Sequence, residues 1–291
     1  MFKQKTIAPF LYLLPTMVIL SVFIYYPLIK NIEYSFFEID TLTNIKEFIG
    51  FENYKSLFKD QVFLIALKNN ALYTIISIVV QVGGGLIVAA ILQDKLIRKI
   101  SPLFRTVFFI PVLISTTIIS LLFTFIYSPE GMLNQLLASL GLENFATGWL
   151  GNSTTAIFAV IGLSQWQNVG YIMILFVVAM QKIPTSLYEA AELDGASKIK
   201  TFFSITIPMV KETFLVTLVI TLSGAFLVFN EIYILTGGGP GDSSTVLGMH
   251  LFNEAFIFGN MGYASTIANF IFLLTMFITF IQVRAFNTNK E

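Results

Sequence analysis

The sequence contains no cysteine and a single histidine, His250, among its 291 residues. The lack of cysteine excludes disulfides and thiolate metal sites, and one histidine cannot supply a histidine-cluster metal site. Charged residues make up 12% of the chain, against about 25% in an average soluble domain. Because basic and acidic residues number 17 each, no excess of positive charge indicates a nucleic-acid partner.

Apolar sequence is what the chain has in excess, with 56% hydrophobic residues. A membrane-spanning helix needs about 20 predominantly apolar residues. Six runs meet this length: 9–30, 67–93, 103–127, 154–181, 211–235 and 260–283. The first run is too long for the apolar part of a signal peptide, and no small-residue cleavage site follows it, so we expect a retained helix. The sequence predicts an all-α membrane protein with six transmembrane helices.

Basic residues predict the orientation, since Lys and Arg accumulate in cytoplasmic loops. With both termini in the cytoplasm, twelve of the 17 basic residues fall on that side, and the external loops 128–153 and 236–259 hold none. The twelve are Lys3, Lys5, Lys95, Arg98, Lys99, Arg105, Lys182, Lys198, Lys200, Lys211, Arg284 and Lys290. The chain then divides into an N-terminal segment with the first helix (1–30), an external loop (31–66) and a five-helix core (67–291).

Five apolar residues of the external loop recur at helical spacing among charged residues: Phe48, Phe51, Tyr54, Leu57 and Phe58. The pattern predicts an interfacial helix that lies on the outer face of the membrane. We favour a cap on the helix bundle over a ligand site for this helix.

Three features inside the apolar runs bear on packing and polarity. Gly83-Gly84-Gly85 in the second run predicts close helix packing, and no Lys-Ser or Lys-Thr follows to make it a phosphate-binding loop. Pro111 predicts a kink in the third run. Glu231 lies near the end of the fifth run, and we expect it to reach the membrane interface rather than to line an aqueous vestibule.

Polar side chains in the middle of the fourth run are candidates for a binding site. Gln167, Asn168 and Tyr171 share one helix face by spacings of three and four, and this face should point into the bundle because amides are costly in lipid. A ring beside amides suits a sugar, and hydrogen bonding between helices is an equal alternative. Thr117 in the third run is a candidate for the same cavity, although helix hydroxyls commonly bond back onto their own helix.

A short polar stretch between the fourth and fifth runs predicts a capped helix at the cytoplasmic surface. Ser186 and Glu189 have the spacing of a capping box, and Gly195 stands where a glycine ends a helix after two turns. Ala190 and Ala191 would let another protein approach closely. We therefore interpret this helix as a docking site for a partner.

These motifs resemble those of binding-protein-dependent ABC importer permeases, specifically the carbohydrate, MalF-like branch. The similarity covers nearly the whole chain, although the extra N-terminal spans and the large external domain of the maltose permease are missing. The spacing of the EAA loop of that family, over 184–208, matches Glu189-Ala190-Ala191, Asp194-Gly195-Ala196, Phe202, Ile205-Thr206 and Pro208. Further similarity lies in 8–15, in Phe51-Glu52-Asn53-Tyr54 and in Leu235-Thr236-Gly237-Gly238-Gly239-Pro240.

The resemblance implies a type I ABC importer permease in a bacterial cell membrane. It implies a heterodimer with a second homologous permease chain, two cytoplasmic ABC ATPase subunits and an extracytoplasmic sugar-binding protein. ATP and Mg²⁺ would be held by the ATPase subunits, so this chain itself would need no cofactor and have no catalytic residue. The ATPases would contact the EAA helix at Glu189, Ala190, Ala191, Asp194 and Gly195.

The resemblance also implies where a sugar would bind. Matching positions of the family fall on Tyr171, Gln167, Asn168, Thr221, Gly224, Ala225 and Thr117. No basic residue lies deep in any run, and anionic cargo normally meets Arg or Lys, so we expect a neutral sugar or oligosaccharide. The alternatives are an ion-coupled secondary carrier and an ABC permease for a non-sugar polar solute such as glycerol phosphate.

Overall fold

The structure is a computed structural model that describes residues 8–41, 45–94, 96–97 and 99–287. Lys3, Lys5, Lys95, Arg98 and Lys290, which entered the orientation argument, lie outside these residues. The helices are α1 Ala8–Leu20, α2 Tyr26–Tyr34, α3 Glu52–Leu57, α4 Gln61–Ser77, α5 Gly85–Leu92, α6 Ser101–Leu113, α7 Thr116–Ile126, α8 Met132–Ser139, α9 Ala156–Met180, α10 Thr185–Leu193, α11 Lys198–Thr201, α12 Ile207–Met209, α13 Lys211–Phe226, α14 Asn230–Leu235, α15 Leu247–Phe252 and α16 Met261–Asn287. π-Helical turns occupy Ser21–Tyr25, Ile78–Gly84, Phe202–Thr206 and Asn253–Ile257, and a 3₁₀ turn occupies Glu143–Phe145.

Between four and six helical segments of the described chain are long and apolar enough to cross a membrane. Four are continuous: Tyr12–Tyr34, Gln61–Leu92, Ala156–Met180 and Met261–Phe286. Two more exist if each bent pair is one span, namely Ser101–Leu113 with Thr116–Ile126, bent by 99°, and Lys198–Met209 with Lys211–Phe226, bent by 73°. The third predicted run is therefore broken rather than straight, whereas the second bend lies at Val210, just before the fifth predicted run begins.

The break in the third run does not coincide with Pro111. This proline lies inside α6, and the chain turns at Ile114 and Ser115, which adopt extended backbone angles. The predicted kink therefore exists, but it lies three residues after the proline. The residues at the turn are Ile-Ser-Thr-Thr. β-Branched residues and serine are weak helix formers, and serine and threonine are favoured just before a helix begins.

Contacts divide the chain into two compact units. One comprises Met1–Gln61 and His250–Leu273, and the other comprises Val62–Met249 and Leu274–Glu291. In the first, β1 (Phe37–Asp40) pairs antiparallel with β2 (Ile45–Phe48), and Phe37 lies opposite Phe48. Asp60 Oδ2 accepts a hydrogen bond from the hydroxyl of Tyr263 at 2.7 Å and lies 2.8 Å from His250 Nε2. The single histidine is thus buried in a hydrogen-bonded cluster.

The predicted interfacial helix of the external loop is corrected. Phe48 belongs to β2 rather than to a helix, and α3 contains only six residues. Leu57 is fully buried, while Phe51 and Phe58 remain exposed. The five residues therefore do not form one apolar face, because Gly50, with φ of +59°, separates the strand from the helix.

The second unit is organised around α9, most of whose residues are buried. At Gly170 a Cβ atom would lie 1.7 Å from the carbonyl oxygen of Phe108 on α6, so the two backbones are in direct contact there. At Gly85 a Cβ atom would lie 3.1 Å from the backbone nitrogen of Met173. Close packing is confirmed for Gly85, whereas Gly84 has no neighbour within 4 Å of such an atom.

A buried amide on α4 joins separate parts of the second unit. Asn70 is fully buried. Its Nδ2 donates to the carbonyl of Ala225 at 2.8 Å, and its Oδ1 accepts from the backbone nitrogen of Leu247 at 2.7 Å. Because Ala225 lines the cavity described next, this amide helps to fix one cavity wall.

Candidate functional site

The short helix α10 begins two residues earlier than the capping box requires. Pro184 is its N-cap residue, and no side chain caps the helix. Ser186 is therefore the second helical residue, so the predicted capping box of Ser186 and Glu189 is wrong. The chain enters the helix directly from the extended backbone of Pro184, with ψ of 131°. Glu189 is consequently exposed and is available for a partner.

The C-terminus of α10 confirms Gly195 as the stop. Gly195 has φ of +70°, a left-handed conformation that glycine adopts without steric cost. Its nitrogen donates to the carbonyl of Glu192 at 3.1 Å, and the nitrogen of Ala196 donates to the carbonyl of Ala191 at 2.9 Å. This pair of bonds is the Schellman motif, so the helix end is closed and well defined.

One side of α10 is attached to the core, and the other is open. Tyr188 is half-buried, and its hydroxyl lies 3.1 Å from Thr206 Oγ1. The Tyr188 ring packs on the buried cluster that includes Phe176 and Met180. The five predicted coupling residues lie toward the open side, where Glu189, Ala190, Asp194 and Gly195 are exposed and Ala191 is half-buried.

A cavity of about 490 Å³ lies in the second unit, within the range of about 300–1,000 Å³ typical of small-molecule sites. Its walls come from α4 and the π-helical turn after it, from α6, α7, α9 and α13, and from the start of α14 with the segment that leads into it. The lining residues are Tyr73, Ser77, Gln81, Val112, Thr116, Ser164, Asn168, Tyr171, Ile172, Ile220, Thr221, Gly224, Ala225, Leu227, Val228, Phe229, Asn230 and Glu231.

Comparison with known proteins identifies the family to which this arrangement belongs. Residues 81–290 match the family described as the binding-protein-dependent transport system inner membrane component. The chain belongs to this family. The stretch that matches contains both the cavity wall formed by α9 and α13 and the helix α10, so the family resemblance drawn from the EAA spacing is confirmed.

Relatives of this permease extend the match to its full length. It is 54% identical over 292 residues to the probable ABC transporter permease protein YurN of Bacillus subtilis (strain 168), with 100% of both chains covered. It is 32% identical over 273 residues to the multiple sugar-binding transport system permease protein MsmF of Streptococcus mutans, with 94% of this chain and 93% of MsmF covered. The relatives are thus named as transporter components rather than as enzymes.

The fold of the permease is also known from crystal structures. A chain of a bacterial ABC transporter involved in the import of the acidic polysaccharide alginate superposes with a TM-score of 0.84. The match covers 98% of this chain and 96% of that chain at 23% sequence identity. The two chains share the ABC importer permease fold.

Five of the seven predicted sugar-binding residues of the permease line the cavity: Asn168, Tyr171, Thr221, Gly224 and Ala225. Gln167 does not. Its Nε2 donates to the carbonyl of Ile114 at 3.2 Å and lies 3.4 Å from Thr116 Oγ1, as the alternative of interhelical hydrogen bonding predicts. Thr117 is exposed outside the lining, and the neighbouring Thr116 lines the cavity instead.

Sequence reasoning missed several polar lining residues of the permease, notably Tyr73, Ser77 and Gln81. The expectation that Glu231 reaches the interface is corrected, because the residue lines the cavity, as the alternative of an aqueous vestibule predicts. Thr221 is a lining residue whose buried hydroxyl oxygen has no hydrogen-bond partner.

The cavity of the permease is equipped for binding rather than for covalent chemistry. The described lining residues offer hydroxyls, carboxamides, aromatic rings and one carboxylate, and they include no Lys, Arg or His. Convergent hydroxyls and amides form hydrogen bonds with a polar ligand, and an aromatic side chain adds apolar contact area. The absence of a basic residue from this lining means that an anionic ligand would meet no opposite charge there.

Proposed function

We propose that the chain is the permease subunit of an ATP-driven importer that moves a sugar or oligosaccharide across a bacterial cell membrane. In this proposal six helices cross the membrane, each bent pair counts as one span, and both termini lie in the cytoplasm. A second homologous permease chain, two ABC ATPase subunits and an extracytoplasmic binding protein complete the importer. ATP and Mg²⁺ belong to the ATPase subunits.

The observation that carries the proposal is the lining of the cavity. Asn168, Tyr171 and Thr221 offer an amide, a ring and a hydroxyl to one cavity. A sugar presents hydroxyls together with apolar C–H groups, and these match such a lining. The names of relatives such as MsmF support the same class of cargo.

The coupling role proposed for α10 rests on its shape and attachment. Its Schellman end and the contact between Tyr188 and Thr206 hold the helix as a rigid projection. Rigid elements transmit a displacement into a rigid-body movement of packed helices. Glu189, Ala190, Ala191, Asp194 and Gly195 would form the surface that the ATPases contact.

The test is ATP-dependent sugar uptake by the complete importer in liposomes. Tyr171→Ala should raise the KM for sugar about ten-fold, which corresponds to a loss of about 1.4 kcal/mol of binding free energy. Phe158→Ala is the matched control, since Phe158 lies on the same helix and is 52% exposed, outside the cavity lining. Uptake that needs an ion gradient but no ATPase, or uptake of glycerol phosphate alone, would contradict the proposal.

A further inference from the structure

One carboxylate faces the cavity without an opposite charge. Glu231 lies in the first turn of α14 and lines the cavity. Among the described residues it takes part in no ion pair, and the described lining contains no basic side chain. Within the described lining, the one charged side chain is therefore negative.

A carboxylate in such a place favours a ligand that can compensate it. Removing a charge from bulk water is costly unless an opposite charge or hydrogen-bond donors face it. Glu231 is half-buried, and the rings of Tyr171 and Phe229 belong to the same lining. Aromatic faces attract cations, so the carboxylate and the rings favour the same kind of ligand.

A second contact is available for the uncharged part of that ligand. Thr221 is 5% exposed and lines the cavity, and its hydroxyl oxygen has no hydrogen-bond partner. Buried polar atoms in folded proteins nearly always have a partner. A ligand hydroxyl in the cavity would supply the missing one.

We propose that Glu231 selects sugars that carry a protonated amine, by pairing its carboxylate with the ammonium group while Thr221 bonds to a sugar hydroxyl. This inference rests on the proposed function and narrows it. The cargo class becomes an amino sugar or another amine-bearing sugar instead of the wholly neutral sugar expected from the sequence. The same carboxylate disfavours sugar acids and sugar phosphates, because like charges repel.

Gly224 allows ligand binding to be measured directly. It lines the cavity, is exposed, and would place a Cβ atom more than 4 Å from any neighbouring heavy atom. Gly224→Cys therefore introduces a thiol into a chain that has no other cysteine. The complex with its partner permease and ATPases, without the binding protein, is treated with uncharged methyl methanethiosulfonate in rising concentrations of glucose or glucosamine. The cysteine thiolate attacks the reagent to form a methyl mixed disulfide, and methanesulfinate leaves. These two sugars differ only in a hydroxyl or an ammonium group.

Glucosamine should protect the thiol at a roughly ten-fold lower concentration than glucose, as expected for one charge-assisted hydrogen bond. Adding Glu231→Gln should make the two sugars protect alike. Adding Thr221→Val is the matched control, which should weaken protection by both sugars and keep the preference for glucosamine.

Two results would overturn the inference and leave the proposed function intact. One is equal protection by the two sugars in the Gly224→Cys protein that retains Glu231. The other is a preference for glucosamine that survives Glu231→Gln. Protection by neither sugar, together with no sugar import by the full complex, would overturn the inference and the proposed function together.

Discussion

Replacing Gly195 by alanine should impair coupling through backbone strain alone. A Cβ atom at this position would meet no heavy atom within 4 Å, so crowding is not the cost. The cost is the left-handed conformation, with φ of +70°, which penalises most L-residues by roughly 1–2 kcal/mol. That energy raises the population of an unwound helix end by roughly 5- to 30-fold, at the expense of the two bonds that close α10.

The assay is the ATPase activity of the complete importer, with and without sugar-loaded binding protein. Gly195→Ala should reduce the stimulation by sugar and leave the basal rate of the ATPase subunits unchanged. Gly195→Asn is the matched control, since asparagine adopts the left-handed region far more readily than alanine and should retain most of the stimulation. If alanine and asparagine reduce stimulation equally, or if alanine has no effect, backbone strain at the helix end does not govern coupling.

Three further predictions concern packing and binding. Gly170→Ala should prevent stable folding, because the added Cβ atom would lie 1.7 Å from the backbone oxygen of Phe108. Gly84→Ala is the matched control, because the added atom has open space; it should change the free energy of unfolding by no more than about 1 kcal/mol, measured by thermal unfolding of the purified protein. Asn70→Ala should cost about 2–6 kcal/mol, since two buried backbone groups each lose a partner worth 1–3 kcal/mol, and a midpoint unchanged in the same measurement would contradict this. Tyr171→Phe should raise the transport KM less than Tyr171→Ala, because the ring remains; equal effects would show that the hydroxyl is the main contact.

The long apolar runs predicted most of the helical architecture because membrane helices are specified by length and composition alone. The end of α10 at Gly195 could be predicted equally well, since glycine adopts a left-handed backbone conformation freely. The β-hairpin that contains Phe48 could not be predicted from the sequence. Aromatic residues spaced by three or four also occur across a strand, a turn and a short helix, and periodicity over so few residues does not distinguish these cases.

The candidate site was predictable on α9 and α13 and less so on α7. A continuous helix keeps its phase, so Tyr171 could be placed on a helix face from its spacing, and Thr221 on α13 was indicated by the family resemblance. The turn at Ile114 and Ser115 changes which face of α7 points toward the cavity. Thr116 therefore lines the cavity in place of the predicted Thr117. Glu231 was misplaced because sequence alone does not distinguish a membrane interface from an internal cavity at the same depth.

The 73° bend that precedes α13 allows the helix to tilt as a rigid arm about its N-terminal end. The bend lies at Val210, close to Thr206, which contacts Tyr188 of α10. The C-terminal part of α13 forms part of the cavity wall. Sixteen residues at 1.5 Å each make an arm of about 24 Å. A tilt of about 5° at the bend would swing the tip by about 2 Å, enough to carry a hydrogen-bonding group out of its contact range. Small displacements at the Val210 end of α13 would therefore change the contacts between the cavity and its cargo without any rearrangement inside the helix.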